Sequence, residues 1–224
     1  MNKFKLTDEK TELCGCTLHR IVCVTAFASV SVGELGGWVE SEENLSQCGN
    51  AWVYGDAKVG GDAKVYGDAE VYGDAKVYGD AKVYGDAKVC GNAKVYGNAW
   101  VYGDAEVYGD AKVYGNAWVC GNAKVYGNAK VYDNAKVCGN AKVYGNAKVY
   151  GNADYIVLKN NWSSGRYFTY TASNKMWNVG CFYGTGEELI AKAYKDSELS
   201  GKCYEASVRY VEELERIKAT LTKE

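Results

Sequence analysis

The middle of the chain is a six-residue repeat that leaves few choices of fold. From Cys48 to Tyr155 the sequence runs through eighteen consecutive hexads of the form Tyr-Gly-(Asp/Asn)-Ala-Lys-Val, and alanine fills its slot every time. Small, polar, branched and aromatic residues alternate in each hexad, which is the period-two pattern of a strand. The Gly-Asp or Gly-Asn pair suits a bend, because these residues tolerate left-handed backbone angles. A strand of about three to four residues followed by a corner buries nothing alone, so the repeat predicts stacked coils, a β-solenoid.

The pattern resembles the hexapeptide-repeat family, whose fold is a left-handed parallel β-helix with three hexads in each triangular coil. The resemblance implies that the eighteen hexads form about six coils. Ala and Val are then expected inside a thin prism, with Tyr and the variable Lys slot outside, because tyrosines would overfill so narrow a core.

A coil of eighteen residues stacks residue i on residue i+18, so the outer faces follow from the sequence. The three predicted columns of the variable slot are Lys58, Lys76, Lys94, Lys112, Lys130 and Lys148; Trp52, Glu70, Lys88, Glu106, Lys124 and Lys142; and Lys64, Lys82, Trp100, Trp118, Lys136 and Asp154. Alternating charges in the second column indicate a solvated face. The lysine column, including Lys94 and Lys112, is interpreted in one way as a binding surface for polyanions or a nucleotide. In the favoured alternative, it is a charged face that keeps the exposed strands soluble.

The third column predicts a contact surface. Trp100 and Trp118 stack on adjacent coils, and their neighbours in the Tyr slot are Tyr84, Tyr102, Cys120 and Cys138. Exposed aromatic clusters usually mark a site of contact with another molecule. The alternative is that the C-terminal segment folds back over the patch. Cys120 and Cys138 are expected to stay unbridged in a reducing compartment.

Residues 1–47 are expected to cap the solenoid. They contain strand-like pieces at residues 3–7 and 18–26 and two degenerate opening coils at residues 33–40 and 44–47. Residues 3–7, 17–21, 35–40 and 44–47 resemble the opening of hexapeptide-repeat proteins common in bacteriophages and prophages. The resemblance implies a phage or prophage origin.

Cys14, Cys16, His19 and Cys23 lie within ten residues of one another and suggest four zinc ligands. Structural zinc sites usually draw their ligands from two separated pairs, however, and residues 14–19 are interpreted as an extended segment. We therefore predict no metal and no cofactor.

A separate module is predicted from residue 156 to residue 224. Strands are expected at residues 155–159, 166–171 and 175–181, followed by a helix that Thr185 and Glu188 open as a capping box and that runs to about residue 196. Apolar residues at helical spacing predict a second, amphipathic helix over residues 200–221. This βββαα module resembles the terminal module of the same phage-type proteins, in which residues 180–185 match a recurring turn.

The start of the first predicted helix is a candidate anion site. Gly184 and Thr185 stand at its N-terminus, where backbone N–H groups attract anions, and Arg166 is the cation proposed to join them. An ordinary helix cap is the favoured alternative.

Composition limits the remaining classes. The 26 basic and 28 acidic residues give a net charge of −2, which does not fit a binder of nucleic-acid polymers. No apolar run reaches the ~18 residues that span a bilayer, and the start lacks the apolar stretch of a signal peptide. Nine cysteines without an export signal indicate reduced thiols, so the expected location is the bacterial cytoplasm.

The hexapeptide-repeat enzymes, chiefly acyltransferases, carry a catalytic histidine and a loop extruded from a coil. This chain has one histidine, His19, upstream of an uninterrupted repeat, so no catalytic residue is predicted. The prediction is a non-enzymatic, homo-oligomeric binding protein of phage or prophage origin, an anti-defence protein that blocks a host immune effector or sequesters an anionic nucleotide. The alternatives are a transferase that uses Cys181, Cys203 or His19 outside the coil, and a structural component of a virion or filament.

Overall fold

A computed structural model describes residues 2–221, and it confirms a mainly β protein built around a parallel β-solenoid of about six coils. The N-terminal strands are β1 (Phe4–Leu13), β2 (Cys16–Cys23) and β3 (Leu35–Val39), and a short 3-10 helix covers Glu42–Asn44. The solenoid strands are β4 (Trp52–Val53), β5 (Lys58–Val59), β6 (Lys64–Val65), β7 (Glu70–Val71), β8 (Lys76–Tyr78), β9 (Lys82–Tyr84), β10 (Lys88–Val89), β11 (Lys94–Tyr96), β12 (Trp100–Tyr102), β13 (Glu106–Val107), β14 (Lys112–Val113), β15 (Trp118–Val119), β16 (Lys124–Val125), β17 (Lys130–Val131), β18 (Lys136–Val137), β19 (Lys142–Val143) and β20 (Lys148–Val149).

The three predicted columns are the three sides of the solenoid. Face one carries β5, β8, β11, β14, β17 and β20; face two carries β4, β7, β10, β13, β16 and β19; and face three carries β6, β9, β12, β15 and β18. Neighbouring strands on each face are parallel and pair with a shift of eighteen residues, so that Trp100 lies beside Trp118 and Lys94 beside Lys112. Asp154 is the exception: the last hexad leaves the coil, and face three has five strands instead of the predicted six members.

The interior is made of the Ala and Val slots, as predicted. The alanines from Ala51 to Ala147 and the valines from Val53 to Val149 are fully buried. The corners depend on glycine, because Gly103 has a φ of 70° and a Cβ there would lie 3.1 Å from the backbone nitrogen of Gly121. Asp133 occupies the same slot with a φ of 55°. Aspartate tolerates that backbone conformation better than most residues, which explains the single exception.

The N-terminal segment is a hairpin followed by an irregular coil. β1 and β2 pair antiparallel around a turn at Cys14 and Gly15, both with positive φ. The extended segment predicted at residues 14–19 is therefore wrong at these two residues and confirmed at residues 16–19, which belong to β2. β3 then joins face one, with Trp38 beside Lys58. Trp52 points outward but is fully buried, because Phe4 and Phe27 pack edge-on against its indole.

The two ends of the solenoid need opposite kinds of cap. The N–H groups of the variable slot and of the Tyr slot donate to Ala and Val carbonyls of the next coil, as Lys58 does to Ala75 and Tyr54 to Val71. The first coil therefore has Ala and Val carbonyls without such a donor, and the last coil has N–H groups of these slots without such an acceptor. At the first coil, the Lys3 amine donates to the carbonyl of Ala51 over 2.7 Å, and the Asn44 amide donates to that of Ala63 over 2.9 Å. At the last coil, the Thr169 hydroxyl accepts from the Lys142 N–H over 2.9 Å. The terminal segments therefore complete the hydrogen bonding that the repeat leaves open.

The C-terminal module contains a four-stranded antiparallel sheet and two helices. The strands are β21 (Tyr155–Lys159), β22 (Tyr167–Thr171), β23 (Met176–Val179) and β24 (Phe182–Gly184), and the helices are α1 (Gly186–Asp196) and α2 (Glu198–Leu221). β24 corrects the prediction of three strands, because the segment interpreted as a turn pairs with β23. A second core forms between this sheet and the helices. No helix within residues 2–221 is long and apolar enough to cross a membrane.

Candidate interaction surface

The most distinctive surface feature is a tryptophan ladder on face three, formed by Lys82, Trp100, Trp118 and Lys136 on four successive coils. The indole rings of Trp100 and Trp118 are stacked, with centroids 5.2 Å apart and planes 3° from parallel. The Lys82 ammonium lies 4.8 Å from the Trp100 ring, and the Lys136 ammonium lies 4.4 Å from the Trp118 ring. Each outer face of the indole pair is therefore covered by a cation, an attraction of about 0.5–1 kcal/mol at an exposed site.

The spacing of the ladder determines what it can bind. Adjacent parallel strands lie about 4.8 Å apart, which brings the two indoles into contact and leaves no slot for a third ring. Since ammonium groups cover the outer faces, the indole edges are the part that meets solvent. Such a flat ribbon of aromatic edges suits the surface of another macromolecule better than a small planar ligand.

Tyrosines extend this surface along the neighbouring corner. Tyr66, Tyr84 and Tyr102 stack with centroids 4.8 and 4.9 Å apart. Tyr84 meets the edge of Trp100, and Tyr102 meets the edge of Trp118, each with centroids 6.2 Å apart. Burial, followed by the neighbouring phenols Tyr66 and Tyr102, raises the pKa of Tyr84 above its ordinary value. The Tyr84 hydroxyl is therefore a neutral hydrogen-bond donor at physiological pH.

The tyrosine stack continues into a disulfide, which contradicts the prediction of free thiols. Cys120 and Cys138 occupy the next two positions of this corner, and the structure joins them by a disulfide with Cα atoms 4.5 Å apart. The eighteen-residue register brings the two residues directly next to each other on adjacent coils. The prediction placed the two residues one above the other correctly, and it failed because it gave the expected reducing compartment more weight than this geometry.

The lysine column forms a shallow polar groove on face one. The groove has a volume of about 500 Å³, and Lys76, Lys94, Lys112 and Lys130 alternate along it with Asp74, Asn92, Asp110 and Asn128. Its carboxylates lie among its ammonium groups and reduce its net charge. At the N-terminal end of the lysine column, outside this groove, Lys58 donates hydrogen bonds to the hydroxyl of Thr11 and the carbonyl of Glu12. That part of the column therefore holds the N-terminal hairpin.

The predicted anion site at the start of α1 is occupied by the protein's own carboxylate. Thr185 and Glu188 form the capping box, in which Glu188 accepts from the Thr185 N–H over 2.8 Å. These hydrogen bonds lower the pKa of Glu188, which keeps a negative charge at the helix N-terminus. Gly184 is buried, and Arg166 lines a different cleft between the module and face two.

The residues considered for catalysis lie in two different parts of the fold. His19 lies in the N-terminal hairpin, where its Nδ1 is 3.1 Å from the carbonyl of Thr7, whereas Cys181 and Cys203 belong to the C-terminal module. Cys14 is exposed and Cys23 is buried. Among residues 2–221 no three His, Cys, Asp or Glu side chains are arranged to hold a metal ion.

Some contributors to these surfaces were not identified from the sequence. Lys82 and Lys136 were placed in the correct column, but their contact with the indole faces was not predicted. Lys124 and Lys142 were assigned to a solvated face, and they instead line the cleft that Arg166 enters. No local signal marks the cleft, because it exists only where the module docks.

Comparison with known families supports the repeat architecture. Residues 87–103, which run from β10 to the corner after Trp100, match the family profile described as YdcK Beta solenoid repeat. No curated protein matches the chain. Together with the observed coils, the match identifies a β-solenoid repeat protein.

Proposed function

We propose that this protein is a non-enzymatic interaction protein of phage or prophage origin. It acts in the bacterial cytoplasm as a homo-oligomer, and the tryptophan ladder is its contact surface. In this role it blocks a host immune effector. The phage origin is supported by the resemblance of both terminal segments to phage-type repeat proteins. The non-enzymatic role is supported by the separation of His19 from Cys181 and Cys203 at opposite ends of the solenoid.

The observation that carries the proposal is the tryptophan ladder itself. Its order, Lys-Trp-Trp-Lys, is the same in both directions. A two-fold axis between Trp100 and Trp118 places Trp100 of one copy against Trp118 of the other and the reverse, so that one patch serves both copies, as in an isologous dimer. Trp and Tyr are also the residues that contribute most to binding energy at protein interfaces.

Sedimentation velocity over a concentration series tests self-association through the ladder. The double variant Trp100→Lys/Trp118→Lys is informative because lysine is the usual residue of this slot and the fold accommodates it at Lys82 and Lys136. A hot spot contributes about 2 kcal/mol or more, so the dissociation constant is expected to rise about thirtyfold.

The matched control is Tyr96→Ala/Tyr114→Ala, which shortens a tyrosine stack with 4.9 Å spacing on another corner. The control is expected to associate like the wild type. Equal weakening of both variants, or a wild-type protein that stays monomeric at high concentration, contradicts the proposed contact surface.

Infection assays test the biological role. In bacteria that carry an immune effector, expression of the wild-type protein is expected to restore plaque formation, and the ladder variant is expected to lose this effect at equal protein abundance. If the ladder variant restores plaque formation as well as the wild type does, the tryptophan ladder is not the surface that blocks the immune effector.

A further inference from the structure

A basic cleft lies between face two of the solenoid and the C-terminal module, at a distance from the tryptophan ladder. The cleft has a volume of about 410 Å³, within the range of small-molecule sites. Two successive coils contribute one wall and the start of β22 contributes the other. The lining side chains are those of Asn122, Lys124, Asn140, Lys142, Arg166 and Tyr167.

Two of the three cations that line this cleft have no carboxylate partner in the described part of the chain. Three cationic side chains and no carboxylate line it. Lys124 pairs with Glu106 over 2.8 Å, whereas Lys142 and Arg166 have no carboxylate within salt-bridge distance in the described part of the chain. The groove on face one differs, because Asp74 and Asp110 lie among its lysines.

Hydrogen bonds dock the module against the coils that carry the cleft. The Thr169 hydroxyl accepts from the backbone N–H of Lys142, and the Asn178 amide donates to the hydroxyl of Tyr126 over 2.8 Å. The Arg166 guanidinium lies beside Gly180, where a Cβ would be 3.4 Å from its Nη1 atom. The backbone of the two walls is therefore held in place before a ligand binds, which reduces the entropy lost on binding.

The donors define the ligand class. A guanidinium binds two oxygens of a phosphate at once, and nearby ammonium groups add charge-assisted hydrogen bonds. The amide groups of Asn122 and Asn140 supply further polar contacts. Tyr167 is 40% exposed and offers a ring edge or face beside the cations. The geometry points to a small phosphate-bearing ligand, either free phosphate or the phosphate of a nucleotide, bound in this cleft.

Calorimetric titration with inorganic pyrophosphate and, separately, adenosine monophosphate tests the site at low ionic strength. Binding is expected to weaken as salt rises, because the contacts are ionic and partly exposed. Arg166→Gln and Lys142→Gln are each expected to weaken binding about tenfold or more. Tighter binding of the nucleotide than of pyrophosphate, lost in Tyr167→Ala, assigns the site to a nucleotide. Equal binding assigns it to free phosphate.

Matched controls lie in the groove on face one. Lys112→Gln makes the same change as Lys142→Gln in an equivalent slot, and Asn128→Asp matches Asn140→Asp, which adds a negative charge inside the cleft. The repeat has Asp in eight of its eighteen hexads, so both Asp variants are expected to fold.

The cleft variants are expected to lose binding and the groove variants to keep it. The assignment of a phosphate site to the cleft is overturned if neither pyrophosphate nor adenosine monophosphate binds at about 10 mM. It is also overturned if the cleft variants and the groove variants lose the same amount of affinity. These measurements do not depend on the tryptophan ladder, so the two proposals fail independently.

Discussion

Replacing Thr169 by valine tests how the module caps the solenoid. Valine keeps the shape of the side chain and removes the oxygen that accepts the Lys142 N–H over 2.9 Å. Thr169 is 1% exposed, so water does not readily replace the lost acceptor. A buried donor without a partner costs about 1–3 kcal/mol, and because this bond is only partly buried the free energy of unfolding is expected to fall by about 1 kcal/mol, the lower end of that range.

Ser173 supplies a matched comparison. Its hydroxyl accepts from the Lys148 N–H over 2.8 Å, but this bond is exposed to solvent. Water takes the place of the hydroxyl in Ser173→Ala, so the expected loss is below about 0.5 kcal/mol. Urea unfolding followed by circular dichroism measures both losses, and hydrogen exchange shows whether protection of the Lys142 amide falls selectively. Equal losses in the two variants would refute the explanation by burial.

Three further predictions concern the covalent link and the titrating groups. The disulfide between Cys120 and Cys138 closes an eighteen-residue loop, so Cys138→Ser is expected to lower the free energy of unfolding by about 3 kcal/mol. The control, Cys90→Ser, changes a free thiol in the same hexad slot and is expected to leave the unfolding midpoint unchanged. Burial raises the pKa of Tyr108 to about 12, above the ~10 of an unfolded chain, so between these values the folded state keeps a proton that the unfolded state loses. The free energy of unfolding should therefore fall as the pH rises from ~10 to about 12, and less steeply in Tyr108→Phe. The phenolate absorbance of the folded protein should rise at a higher pH than that of the unfolded chain. Burial lowers the pKa of Lys3 to about 8, below the ~10.4 of the unfolded chain, so the unfolded state binds more protons between these two values. The free energy of unfolding should therefore rise with pH across that window. The urea midpoint of Lys3→Met should lack this rise.

The repeat determines the part of the fold that the sequence predicts well. A period of six with three hexads per coil fixes the register, so the Lys94–Lys112 and Trp100–Trp118 pairs follow from counting. The same periodicity fixes which side chains are buried, because only Ala and Val fit the narrow interior. Local pattern and tertiary packing agree here, and prediction is reliable where they do.

Prediction failed where contacts between non-repeating segments decide the outcome. Trp52 and Trp100 occupy the same hexad slot, yet Trp52 is fully buried because Phe4 and Phe27 pack against it. Trp100 has no such cover and is partly exposed. β24 is only three residues long and becomes a strand by pairing with β23. The cleft around Arg166 likewise depends on where the module docks, which no spacing in the sequence records.

The polarity of the coils bears on how copies of this protein assemble. The N-terminal end presents the carbonyls of the Ala and Val slots, and the C-terminal end presents the N–H groups of the variable and Tyr slots, so two uncapped solenoids would join end to end with complementary hydrogen bonds. Here Lys3 and Asn44 already satisfy carbonyls at one end, and Thr169 and Ser173 satisfy N–H groups at the other. Stacking into a filament would have to displace both caps. Contact through a side of the solenoid displaces neither, and this favours a closed assembly through the tryptophan ladder over an open filament.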